Sequence, residues 1–98
     1  NYPPYGRIIN IIISSENEEG LKDKAEKLYN MIKERNSFIP KPFKAPIYRI
    51  NNRYRYQIFI KSDRMSINGM KSKIKNSLIN YKEKDVRISV DVDPINLL

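Results

Sequence analysis

Arg53, Arg55 and Lys61 stand two and six positions apart in the stretch NNRYRYQIFIK. In an extended chain, residues two apart point the same way. The three cations therefore share one strand face with Gln57 and Phe59, while Tyr54, Tyr56, Ile58 and Ile60 share the other. A row of guanidinium and ammonium groups can neutralise successive phosphates of a nucleic-acid backbone, with Arg49 a candidate neighbour across a hairpin. Nearby tyrosine rings would be available to stack bases. The plainer alternative is a solvated or domain-docking sheet face whose arginines pair with Asp91 and Asp93.

A second basic row follows. Arg64, Asn68, Lys71, Lys75 and Lys82 fall within about 60° of one another at 3.6 residues per turn. Such a row is either a solubilising helix face or a further binding surface, and Lys71 and Lys75 join the candidate DNA-binding set. Asp91 and Asp93 have a spacing at which two carboxylates can share a divalent ion. No third ligand is in view, so no metal site is expected, and the pair reads as partners for arginines.

The chain has 98 residues, 19 Lys and Arg against 11 Asp and Glu, a net charge of +8, and neither Cys nor His. Disulfides, thiolate or imidazole zinc sites, cysteine nucleophiles and the usual general base are thereby excluded. With only three glycines, no phosphate-cradling loop is present, and no serine stands in a nucleophile setting. No catalytic residue is expected. The excess of cations points towards phosphate-rich or acidic partners. No apolar run reaches the ~18–20 residues of a membrane span, and no apolar leader opens the chain, so a cytoplasmic location and no membrane partner are expected. A chain opening on Asn1 and Tyr2-Pro3-Pro4 reads as a piece of a longer protein. Residues 1–6 would be a stiff linker and residues 7–98 one domain.

These side chains need elements to hold them. Arg7 to Ser14 is a β-branched run, apolar on both edges except at Asn10, which suits a central strand covered on both sides. Ser15 to Glu18 matches the start pattern of a helix, predicted from Glu18 to Arg35 by Leu21, Ala25, Leu28, Tyr29 and Ile32. Pro40, Pro42 and Pro46 predict a loop over Ser37 to Ala45. Ile47 to Ile50 and Arg53 to Lys61 read as strands joined by an Asn51-Asn52 turn. A second helix is predicted from Arg64 to Lys82 and a last strand through Val86, Ile88, Val90 and Val92. The order βαββαβ implies an α+β, ferredoxin-like sandwich: a four-stranded antiparallel sheet with both helices on one face. The helices would cover Tyr54, Tyr56, Ile58 and Ile60 and leave the cationic row uncovered.

Three motifs in register, YPPYGR (Tyr2 to Arg7), RYRYQIFIK (Arg53 to Lys61) and DVDP (Asp91 to Pro94), give the chain a family likeness. It resembles, over nearly its whole length, the C-terminal domain of the primosomal protein N′ family of bacterial replication-restart DNA helicases. The resemblance implies a parent that is an ATP-dependent 3'-5' helicase, with ATP, Mg and Zn bound by other domains and no cofactor here. It implies that residues 1–6 follow a helicase lobe. It also implies that the domain assists binding of fork and single-stranded DNA and meets other primosome proteins. Finally, it implies a pocket for the acidic tail of the single-strand-binding protein near the start of the second helix. Arg64 and Asn68 are the matching positions, with Asn where a longer Gln is expected. The expected function is thus an accessory DNA-binding and docking domain. The alternative is a ferredoxin-like regulatory or oligomerisation module that binds a small ligand or protein.

Overall fold

The isoleucine-rich run near the start forms β1 (Gly6–Ser15), the strand on which the rest of the sheet is assembled. In the computed structural model, which describes residues 6–33, 39–63 and 66–92, β1 lies between two antiparallel partners. These are β3 (Arg53–Asp63) and β4 (Arg87–Val92), and β2 (Phe43–Ile50) pairs with β3 at the far edge, giving the order β2-β3-β1-β4. The helices α1 (Leu21–Ile32) and α2 (Ile67–Asn80) form the second layer, and the whole is the expected ferredoxin-like arrangement.

Strand pleating decides which face the helices cover. Ile9 stands opposite Ile60, Ile11 opposite Ile58, and Ile13 opposite Tyr56, and all six are buried. Against them α1 presents Leu21, Ala25, Leu28 and Ile32, a stripe at spacings of three and four that no solvent reaches. From α2 come Ile67 and Ile74, with Met70 and Leu78 packed alongside. Burying a side chain of this size contributes about 1.5–3 kcal/mol, so this double layer of aliphatics is the main stabilising term. β1 is central as expected but covered on one side only. Ile8, Asn10 and Ile12, which point away from the helices, are half-buried by their sheet neighbours.

Several local expectations are corrected. Ser15 ends β1, its Oγ accepting from the Asn17 amide at 3.0 Å, and Asn17 Oδ1 accepts from the Glu19 amide at 3.1 Å. The apparent helix-start motif is thus a pair of side-chain turns. α1 begins only at Leu21, after Gly20 takes a left-handed φ of 81° that a residue with a Cβ would resist. It ends at Ile32, and Arg35 lies outside the described residues. β2 starts at Phe43 and includes Pro46, where a loop was expected. The strand is at the sheet edge and its register slips between Lys44 and Arg49, so a missing amide hydrogen is tolerated. Asn51 and Asn52 make the expected two-residue turn, both with positive φ (52° and 64°).

The far end of the helical layer is closed by polar contacts. The Tyr81 hydroxyl donates to the Lys24 carbonyl at 2.8 Å, Ser77 Oγ donates to the Met31 carbonyl, and Lys27 pairs with Glu83. The bond from Lys27 holds the Glu83 carboxyl below its usual range. Burial, with Glu83 beside it, pushes the Tyr81 phenol up to about 12. A raised phenol stabilises the fold fully below its ordinary value near 10, and that contribution is lost as pH climbs through about 12. Tyr81→Phe is expected to lower stability by about 0.5–1.5 kcal/mol at pH 7. Urea unfolding across the alkaline range should show wild type and variant converging as the phenol ionises. Parallel curves would mean that the hydroxyl does not matter.

Candidate nucleic-acid interface

The face of the sheet away from the helices is built in rungs. Ser14 of β1 has Arg55 on one side and Arg87 on the other; Ile12 lies between Gln57 and Ser89; Asn10 lies between Phe59 and Asp91; Ile8 stands opposite Lys61. With strands about 4.8 Å apart, Arg55 and Arg87 are separated by roughly 10 Å at the backbone and converge on one end of the face. Lys61 marks the other end. Phe43 of β2, opposite Gln57, extends the surface towards the sheet edge.

The arginines of this row differ in how tightly they are held. Arg53 donates through Nε to Ser14 Oγ at 3.1 Å and through a terminal nitrogen to the Ser14 carbonyl at 3.0 Å. Glu16 lies 3.9 Å away, and the Arg53 side chain is only 16% exposed. Two hydrogen bonds to Ser14 and the nearby Glu16 make Arg53 a brace between the hairpin and the end of β1. Arg55 donates once, to the Ile47 carbonyl at 2.8 Å, which leaves most of its five N–H donors to the surface. Lys61 and Arg87 are exposed. The partners of Arg53 and Arg55 are therefore Ser14, Glu16 and Ile47. Among the described residues the expected pairing of arginines with Asp91 is not made: Asp91 stands opposite Asn10, and Asp93 is outside the described residues.

The remaining candidates lie elsewhere. Arg49 is opposite Tyr54 and so faces the helical side, its guanidinium 5.3 Å from the Tyr54 ring centroid and bonded to Asn52 Oδ1. The two-residue turn pairs Ile50 with Arg53 and Arg49 with Tyr54, which puts Arg49 on the opposite face from Arg53 and Arg55. Tyr48, Tyr54 and Tyr56 also lie on that side, in one aromatic group with centroids 5.4 and 5.8 Å apart. Burial and a hydrogen bond to Glu18 push the Tyr48 phenol well above its usual range. These rings do not reach the open face.

Lys71 and Lys75 flank an apolar groove of about 440 Å³ between α2 and β4, floored by Ile74, Leu78, Val90 and Val92. Ile79 at its edge is 61% exposed. The two lysines thus belong to the helical side and are separate from the sheet-face row. Asn68 is exposed in the first turn of α2, and Arg64 lies outside the described residues. Among the described residues no cluster of three or more potential metal ligands occurs, and no helix is long and apolar enough to cross a membrane.

Sequence reasoning missed Arg87 and gave Phe43 and Phe59 no role. The alternation of β4 contained the signal for Arg87, but its neighbour across β1 required the strand register.

The sequence model of the Primosomal protein N C-terminal domain matches residues 1–95. The chain is 33% identical, over all its length, to a Replication restart protein PriA from Borreliella burgdorferi, and 31% identical to one from Bacillus subtilis. It spans only 15% and 13% of those two relatives. A de novo designed protein, Foldit4, matches 93% of the chain and 99% of its own length with a TM-score of 0.62 at 16% identity, a likeness of fold alone.

Proposed function

Since the chain belongs to the Primosomal protein N C-terminal domain family, we propose that it is the accessory DNA-binding and docking domain of a replication-restart helicase. The observation that carries this reading is the uncovered sheet face, where strand register sets Arg55, Arg87 and Lys61 around Asp91, with Glu16 and Asp85 at the end nearest Arg53 and Arg87. Phosphates are the natural counterpart of such a surface. The chemistry of strand separation, with its ATP, Mg and Zn, belongs to other parts of the parent. This domain contributes grip on fork and single-stranded DNA.

Docking of the acidic tail of the single-strand-binding protein is assigned to the start of α2. Arg64, three residues before α2 in sequence, would hold the terminal carboxylate, and Asn68 would add an amide bond. Contacts with the helicase lobes and other primosome proteins would use the remaining surface.

Binding of this chain to single-stranded and fork DNA is expected to weaken with a log–log salt slope of about −2 to −3, the value for ~3–4 phosphate contacts. Fluorescence anisotropy across a salt series measures it. A second reading, a module that binds a protein or its own copy, is favoured by the apolar groove beside Val90 and Val92. A salt-insensitive dimer that ignores DNA would select it.

A further inference from the structure

Phe59 stands near the middle of the open sheet face on the long strand β3, with Asn10 opposite and Lys61 two residues on. Phe43, which is 41% exposed, sits diagonally from it on β2, about 7–8 Å away at the backbone. We propose that these two rings form a stacking platform for unpaired bases of single-stranded DNA. The proposal rests on the DNA-binding reading above and adds what part of the DNA is touched.

Three observations converge. The tyrosines near this hairpin are committed to the helical side, so any stacking by the open face falls to Phe43 and Phe59. The rings lie between Lys61 at one end and Arg55 with Arg87 at the other, so a strand whose phosphates follow the cations passes its bases over them. Beside the rings, Gln57 Nε2 donates to Asn10 Oδ1 at 2.8 Å. That bond fixes two amides on the platform and leaves the Asn10 amide hydrogens and the Gln57 carbonyl oxygen to meet base edges. A π-face accepts every base, so the platform would be tolerant of sequence. Duplex DNA keeps its bases in the stack and offers this surface only phosphates. The occupant is therefore a single strand.

The test compares an oligo-dT strand with an abasic strand of equal length and charge. The wild-type chain is expected to bind oligo-dT about 5- to 100-fold more tightly than the abasic strand. Phe59→Leu should lose most of that preference, while its affinity for the abasic strand and its salt slope stay unchanged. Phe59→Trp should keep the preference, with tryptophan emission quenched by oligo-dT and not by the abasic strand. Equal affinity of the wild type for both strands, with a steep salt slope, would overturn the platform and leave the phosphate surface standing. Failure to bind either strand would overturn both. A Phe59→Leu variant that changed self-association and not DNA binding would mark the face as a protein interface and also overturn the proposal.

Discussion

Ile58→Ala is expected to destabilise the chain by about 2–5 kcal/mol, a large share of the ~5–15 kcal/mol available to a domain of this size. Ile58 is fully buried in β3, opposite the equally buried Ile11, and lies under the helical layer. Its truncation removes apolar contacts and leaves a cavity that β1 and the helices cannot close without moving together. Ile12→Ala, on the other face of β1, removes a half-buried side chain and should cost distinctly less. Urea unfolding, with midpoints compared at constant m, measures both. Equal losses at the two sites would mean that both sheet faces are sealed, and the open interface would not exist.

Replacing Arg55, Lys61 and Arg87 together by Ala should weaken single-strand binding by about 10- to 100-fold near physiological salt. Each cation is placed on the open face by strand register: Arg55 and Arg87 flank Ser14, and Lys61 stands opposite Ile8. Arg53 is left out deliberately. Its guanidinium is bonded to Ser14 and faces Glu16, so its removal would unbrace the hairpin end and confuse stability with binding. The three chosen side chains are not part of the core, and the triple variant should unfold close to the wild-type midpoint.

What the sequence made legible follows physical range. The phase of β3 was readable because Tyr54, Tyr56, Ile58 and Ile60 alternate without a break, and alternation is a local property. The Asn51-Asn52 turn was readable because few residues accept two successive positive φ angles. β2 was misread at its start because Pro42 and Pro46 look prohibitive until the strand is known to lie at an edge with a slipped register. The start of α1 was misread for a related reason. Ser15 and Asn17 do bind backbone amides as helix-starting residues do, but Gly20 defers the helix by three residues. At the site, the row from Arg53 to Lys61 was legible, and its inequality was not. Whether an arginine is a brace or a free contact depends on residues far away in sequence, here Ser14 for Arg53 and Ile47 for Arg55. Arg49 leaves the row by the register of the Asn51-Asn52 turn itself, which pairs it with Tyr54 and was readable from the two-residue loop. The tyrosines considered for stacking turn inward, as the phase of β3 implied, and the rings that strand register puts on the open face are Phe43 and Phe59.

The claim on which the functional account stands is that the uncovered sheet face, and not positive charge in general, holds DNA. The most direct measurement sets the salt slope of the Arg55, Lys61 and Arg87 triple variant beside that of a control lacking Lys22, Lys82 and Lys84. Those three are exposed, Lys22 on α1 and Lys82 and Lys84 in the connection from α2 to β4, and their loss removes the same charge from a total of +8. The predicted result is a slope shallower by about 2 for the sheet-face variant and nearly unchanged for the control. Equal changes in the two proteins would contradict the account, because DNA would then be sensing net charge and no particular face.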